Sequence, residues 1–197
     1  MPRGFTPIET NRIKIALLDA GQEMLPHSGV RKTTVQSLAR AARISTGEFY
    51  AFFPSKEALF FQVYERLESQ LKSRFIRLVT DTPVTGLEDL KRAVIALLLS
   101  DDMQNLVNLV KSEELDYLLR GLAPEQLYQH LQSDRQYLAE AIKLLQSTCT
   151  VEADVDLILA YLQAVFILCY EKRMIGAQFE RVLESFVHGM LLDCCRF

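Results

Sequence analysis

Positions 44 to 59 read ISTGEFYAFFPSKEAL, and the residue types there suit recognition of an anion better than catalysis. Ser45, Thr46 and Gly47 are short side chains at the start of a short helical stretch, Tyr50 follows within a turn, and Lys56 opens the next stretch. Short residues let a large partner approach the backbone. A phenol hydroxyl can donate to a phosphate oxygen while its ring packs. A cation in a first helical turn is by itself unfavourable by roughly 0.3–1 kcal/mol, whereas the free N–H groups of a helix start attract phosphate. Lys56 is therefore expected to complete a phosphate clamp. Glu48, three positions after Ser45, fits a capping box, although a glutamate there could also accept from a cytosine amino group. Phe49, Phe52 and Phe53 are expected to anchor the short helix, which packing must stabilise.

No other set of residues suggests chemistry. Cys149, Cys169, Cys194 and Cys195 lack zinc-ligand spacing. Cys194 and Cys195 are expected to be inert or to lie at a subunit interface. His27, His130 and His188 are far apart in sequence, and no metal site or cofactor is expected from them. There is no G-x-S-x-G, P-loop or G-x-G-x-x-G, so the chain is not expected to be an enzyme.

The 197 residues, 49% hydrophobic and 24% charged, describe a globular protein. No basic n-region with an apolar run opens the chain, and Val155 to Tyr170 is too short and too interrupted to span a bilayer. A cytoplasmic protein is expected. Charge is uneven: residues 1–78 hold 12 Lys+Arg against 7 Asp+Glu, a balance of +5, and residues 79–197 hold 10 against 18, a balance of −8. A basic first part on an acidic body suits a polyanion partner at one end. Arg31, Lys32 and Arg40 are either phosphate contacts or solvated charges.

The elements that position these residues all read as helices. Ile13, Leu17, Ala20 and Met24 recur at helical spacing and end before Pro26 and Gly29. Val35, Leu38, Ala39 and Ala42 make a second helix, with Thr33 and Thr34 as candidate caps. Ser45 opens the third, and Ser55 caps a fourth whose apolar positions run from Leu59 to Leu78. Further helices are expected over 87–99, 103–110, 124–146, 152–171 and 177–194, with no strand signal. The fold class is all-α: a helix-turn-helix domain over 1–54 and a larger helical domain over 55–197, with helix 55–80 connecting them.

The stretch GVRKTTVQSLARAARISTGEFYAFFPSKEALF, residues 29–60, resembles the DNA-binding signature of TetR-type transcriptional regulators. In that family a Gly precedes a Thr-Thr pair, followed by an apolar helix, a short turn, S-x-G-x-[LF]-Y-x-x-F and [PK]-[ST]-K-E-x-L. The run FERVLESFVHGMLL, residues 179–192, resembles the family's last helix, with less distinctive residues. The resemblance implies a homodimeric repressor on a near-palindromic double-stranded DNA operator, released by an apolar small-molecule effector. It implies DNA contacts from Thr33, Thr34, Arg43, Ser45, Thr46, Gly47, Phe49, Tyr50 and Lys56. It also implies a pocket lined by the middle helices, for which Leu98, Met103, Leu106, Leu109, Tyr117, Leu131, Tyr137, Phe166 and Tyr170 are candidates. The sequence departs from the family pattern at Arg43, usually Gly; at Thr46, often Lys; at Glu48, often Thr; and at Phe52, often His.

The helix over 152–171 is apolar nearly all round and needs covering on both sides, whereas the last helix carries an apolar stripe. Ile158, Leu162, Val165, Phe179, Val182, Leu183, Phe186 and Met190 are the expected dimer interface, since C2 pairing suits a palindromic site. The alternative is a helical ligand-binding or protein-interaction module that no longer binds DNA.

Overall fold

The computed structural model describes residues 5–81, 84–110, 118, 124–146 and 148–197; Tyr117 falls outside them. Helix α1, Pro7–Lys32, starts where Thr6 and Glu9 cap each other reciprocally and Pro7 takes the first turn. It continues past Pro26, where the sequence pattern stops, and breaks instead at Gly29, whose φ of 64° is open to glycine. Helix α2, Val35–Ala41, is capped by Thr34 and Ser37. Helix α3, Thr46–Phe52, is capped by Ser45 and Glu48. Helix α4, Lys56–Asp81, follows Ser55, whose Oγ accepts from the Ala58 N–H at 3.1 Å.

Then come α5 (Leu87–Leu98), α6 (Asp101–Val110) and α7 (Pro124–Leu145). The chain ends with α8 (Val155–Tyr170), the short α9 (Lys172–Ile175) and α10 (Phe179–Cys194). The fold is all-α apart from two-residue strands, β1 (Thr150–Val151) and β2 (Cys195–Arg196), paired antiparallel. That ribbon has no sequence signal, because two residues are too few to alternate.

The chain divides into two compact units: residues 1–67 with 108–123, and residues 68–107 with 124–197. In the first unit α2 packs on both α1 and α3. Leu17, Val30, Leu38, Phe49, Phe53, Leu59 and Phe60 are essentially sealed from solvent. At Gly21 a Cβ would lie 2.7 Å from Leu59 Cδ2, so α1 and α4 are as close as a missing side chain allows. In the second unit α10 packs on α5 and α8. Their core gathers Leu90, Leu98, Met103, Val107, Val165, Cys169, Phe179, Leu183 and Val187. Among the described residues no helix is long and apolar enough to cross a membrane.

Candidate nucleic-acid interface

Sequence dictates the two short helices before packing does. Thr34 Oγ1 accepts from the Ser37 N–H at 3.1 Å, while Ser37 Oγ accepts from the Thr34 N–H at 3.2 Å. Ser45 Oγ accepts from the Glu48 N–H at 3.1 Å, and Glu48 Oε2 accepts from the Ser45 N–H at 2.7 Å. These bonds to Ser45, backbone first, hold the Glu48 carboxyl below the usual carboxylate range. The capping reading of Glu48 is therefore the one observed. Between the helices the Ala42, Arg43 and Ile44 N–H groups donate back to Leu38, Arg40 and Ala39. Arg43 turns the chain with φ 58°, a left-handed conformation that costs a side-chain residue about 1 kcal/mol.

This geometry sorts the candidate contacts. Thr34, Arg43, Ser45, Thr46, Gly47 and Tyr50 are exposed together around α3 and the starts of the two short helices. Tyr50 shows 56% of its surface while its ring meets Phe49 edge-on at 5.5 Å. A Cβ on Gly47 would meet nothing nearer than Ser45 Oγ at 4.0 Å, so the chain's own packing does not demand glycine there.

Three candidates are placed elsewhere. Phe49 is fully buried, the anchor of α3, and has no surface to offer DNA. Thr33 is 2% exposed, and its hydroxyl donates to the Gly29 carbonyl at 2.6 Å, closing the end of α1. Lys56 does not reach outward. Its Nζ donates to the carbonyls of Val30 and Arg31 at 2.9 Å and of Thr33 at 3.0 Å. An ammonium has three donors, and all three tie the start of α4 to the end of α1. A cation in the first turn of α4 is offset by the carbonyl dipoles of another helix, not by phosphate.

Sequence reading missed two features here. Phe5 packs tilted against Phe52, ring centroids 5.4 Å apart, so the segment before α1 meets that ring. A groove of about 490 Å³ beside the turn is lined by Phe5, Glu9, Arg12, Arg43, Ile44 and Glu48, among others. It holds two arginines together with two capping carboxylates, Glu9 and Glu48.

In the second unit Leu98 and Met103 belong to the core, and Phe166 and Tyr170 pack against it. Leu106 is buried, while Leu109 belongs to the first unit. Leu131 is 51% exposed, and Tyr137 donates its hydroxyl to the Lys72 carbonyl at 3.2 Å. Val165, Phe179, Leu183 and Met190 face the chain's own core at 0–8% exposure and leave nothing for a partner to cover. Leu162 and Val182 are exposed at 43% and 40%, and Ile158 and Phe186 are half-buried. Cys169, Cys194 and Cys195 are buried, and burial pushes their thiols above the ordinary range, to about 11 for Cys169 and about 12 for Cys195.

Residues 17–63 match the model of the family described as bacterial regulatory proteins, tetR family. YuxN of Bacillus subtilis, described as an uncharacterised HTH-type transcriptional regulator, is 31% identical over 72 residues. The alignment covers 36% of this chain and 25% of YuxN, a quarter of the relative's length. A Rhodococcus sp. protein described as of the TetR family superposes with a TM-score of 0.66 at 16% identity, covering 94% of this chain and all of that one. A TetR-family transcriptional regulator from Haemophilus influenzae gives 0.55 at 16% identity, covering 97% and 100%. Superantigen PfiT gives 0.59 at 20% identity, covering 93% and 96%. At such identities the likeness is one of fold, and a fold can carry unrelated functions.

Proposed function

We propose that this chain is a TetR-type transcriptional regulator acting as a homodimeric repressor, a reading supported by the match of residues 17–63 to that family's model. In this reading it binds a near-palindromic operator and leaves it when an apolar small molecule binds the second unit. The observation that carries the DNA-binding part is the outward face of α3. Thr46, Gly47 and Tyr50 are exposed there, and the chain's own packing does not require the glycine at 47. Thr46 and Tyr50 are the base-edge and phosphate contacts, with Arg43 and Thr34 at the flanks. The boundary we place at 54/55 falls just before α4, although residues 56–67 of that helix pack within the first compact unit. Dimerisation uses the exposed positions Leu162 and Val182 with half-buried Ile158 and Phe186. Release by effector is a population shift, and moving occupancy from mostly bound to mostly free takes several kcal/mol of differential affinity.

The test is fluorescence anisotropy with duplexes from the region flanking the chain's own gene, at two salt concentrations, with native protein and Tyr50→Ala. Tight binding that weakens steeply with salt and falls at least tenfold in the variant is expected. Salt-insensitive or absent binding would favour the second reading, a helical ligand-binding or protein-interaction module. That reading draws support from the likeness in fold to superantigen PfiT and from Phe52, apolar where the family often has His.

A further inference from the structure

Within the second unit, α4 and α7 meet at a polar junction. Glu68 and Lys72 lie one turn apart on α4, and His130 and Asp134 lie one turn apart on α7, so each pair shares a helix face. Lys72 Nζ is 2.5 Å from Asp134 Oδ1 and 3.3 Å from Glu68 Oε2. His130 Nε2 is 3.6 Å from Glu68 Oε2 and 3.7 Å from Asp134 Oδ2. The four side chains are only 10–22% exposed. Two carboxylates thus share one lysine and one imidazole in a poorly hydrated place.

We propose that Glu68, His130 and Asp134 form a binding site for a divalent transition-metal ion, which takes the position between the carboxylates that Lys72 holds. One donor atom from each residue already lies within 4.8 Å of the others. Ligand atoms of a four-coordinate zinc stand about 3.3 Å apart, from bonds of roughly 2.0–2.1 Å, so side-chain rotation suffices to close the set. One imidazole nitrogen and two carboxylate oxygens suit zinc, cobalt(II), manganese or iron(II) rather than a soft ion, and water completes the coordination. Lys72 Nζ also lies 5.4 Å from the Tyr137 ring centroid, a cation–π contact at the edge of the junction that offsets part of the loss when the ion takes the carboxylates. The sequence hides this site because Glu68 and His130 are far apart along the chain and the histidine has no histidine partner.

The test titrates chelator-treated, dialysed full-length protein with cobalt(II), followed by visible d–d absorption, with zinc as competitor. One-to-one binding without an intense sulfur-to-cobalt band is expected. His130→Ala and Asp134→Asn should each weaken binding on the order of 100-fold. Lys72→Ala should tighten it, because a competing cation is gone, and a merely structural role would not produce that opposite sign. Circular dichroism establishes that each variant keeps its helices, and His130→Gln replaces His130→Ala if the latter unfolds. Absent binding, equal binding by native protein and both ligand variants, or a thiolate band placing the ion on the cysteines would each overturn the proposal. None of these readouts depends on DNA binding.

Discussion

Replacing Lys56 by methionine separates two accounts of the same residue. Methionine keeps the apolar stem and removes the three donors, leaving the carbonyls of Val30, Arg31 and Thr33 without their ammonium partner. Hydrogen bonds to charged groups contribute about 1.5–3 kcal/mol each. The three share one cation, and the exposed Arg31 carbonyl regains water, so the sum falls well short of additive. We expect a loss of about 2–4 kcal/mol, and for a chain of this length roughly 2–4 °C of Tm per kcal/mol, hence a drop on the order of 10 °C. Lys56→Arg should not restore it, because a planar guanidinium cannot direct three donors at carbonyls clustered around one point. The decisive assay pairs a thermal melt with the salt dependence of DNA affinity. A direct phosphate ligand contributes close to 0.9 to the slope of log K against log salt on duplex DNA. The latch predicts weaker binding through a loosened head, with a lower Tm and an unchanged slope. An unchanged Tm with a slope smaller by about 0.9 would refute the reasoning and return Lys56 to the phosphate.

Gly47→Ala should leave the fold intact or stabilise it by up to about 1 kcal/mol, since α3 gains a better helix former in open space. Its DNA affinity should nonetheless drop at least tenfold in anisotropy, and unchanged affinity would mean that no surface approaches there. Gly21→Ala forces a methyl to within 2.7 Å of Leu59 Cδ2 and should cost about 1–3 kcal/mol in denaturant melts; a neutral result would show that α1 and α4 part easily. Val182→Arg puts a charge on an exposed apolar position of α10 and should convert a dimer to a monomer in sedimentation without lowering helix content. Retention of the dimer would move the interface away from that face.

The head is largely legible in the sequence because its determinants are local. Capping pairs three residues apart, an apolar face repeating every three to four, and the Arg43 turn all act within one or two turns of helix. Thr34, Ser45 and Glu48 perform the local roles their spacing predicts. The helices of the second unit are legible for the same reason, each within a few residues of its expected bounds. The partition of apolar residues between core and surface is not. Val165, Leu183 and Met190 carry the same helical pattern as Leu162 and Val182, yet the first three are inside and the last two outside. Periodicity marks which residues share a face but not which neighbour the face meets.

By itself the sequence determined an all-helical chain with a capped, aromatic-anchored helix-turn-helix at its basic end, because caps and periodicity are short-range interactions that need no partner. Tertiary structure decided what long-range partners decide. It turned Lys56 from a phosphate clamp into a latch on α1, since carbonyls some 25 residues away in sequence come within hydrogen-bonding distance. It also brought Glu68 of α4 against His130 and Asp134 of α7, where one charge is set by another that only folding places beside it.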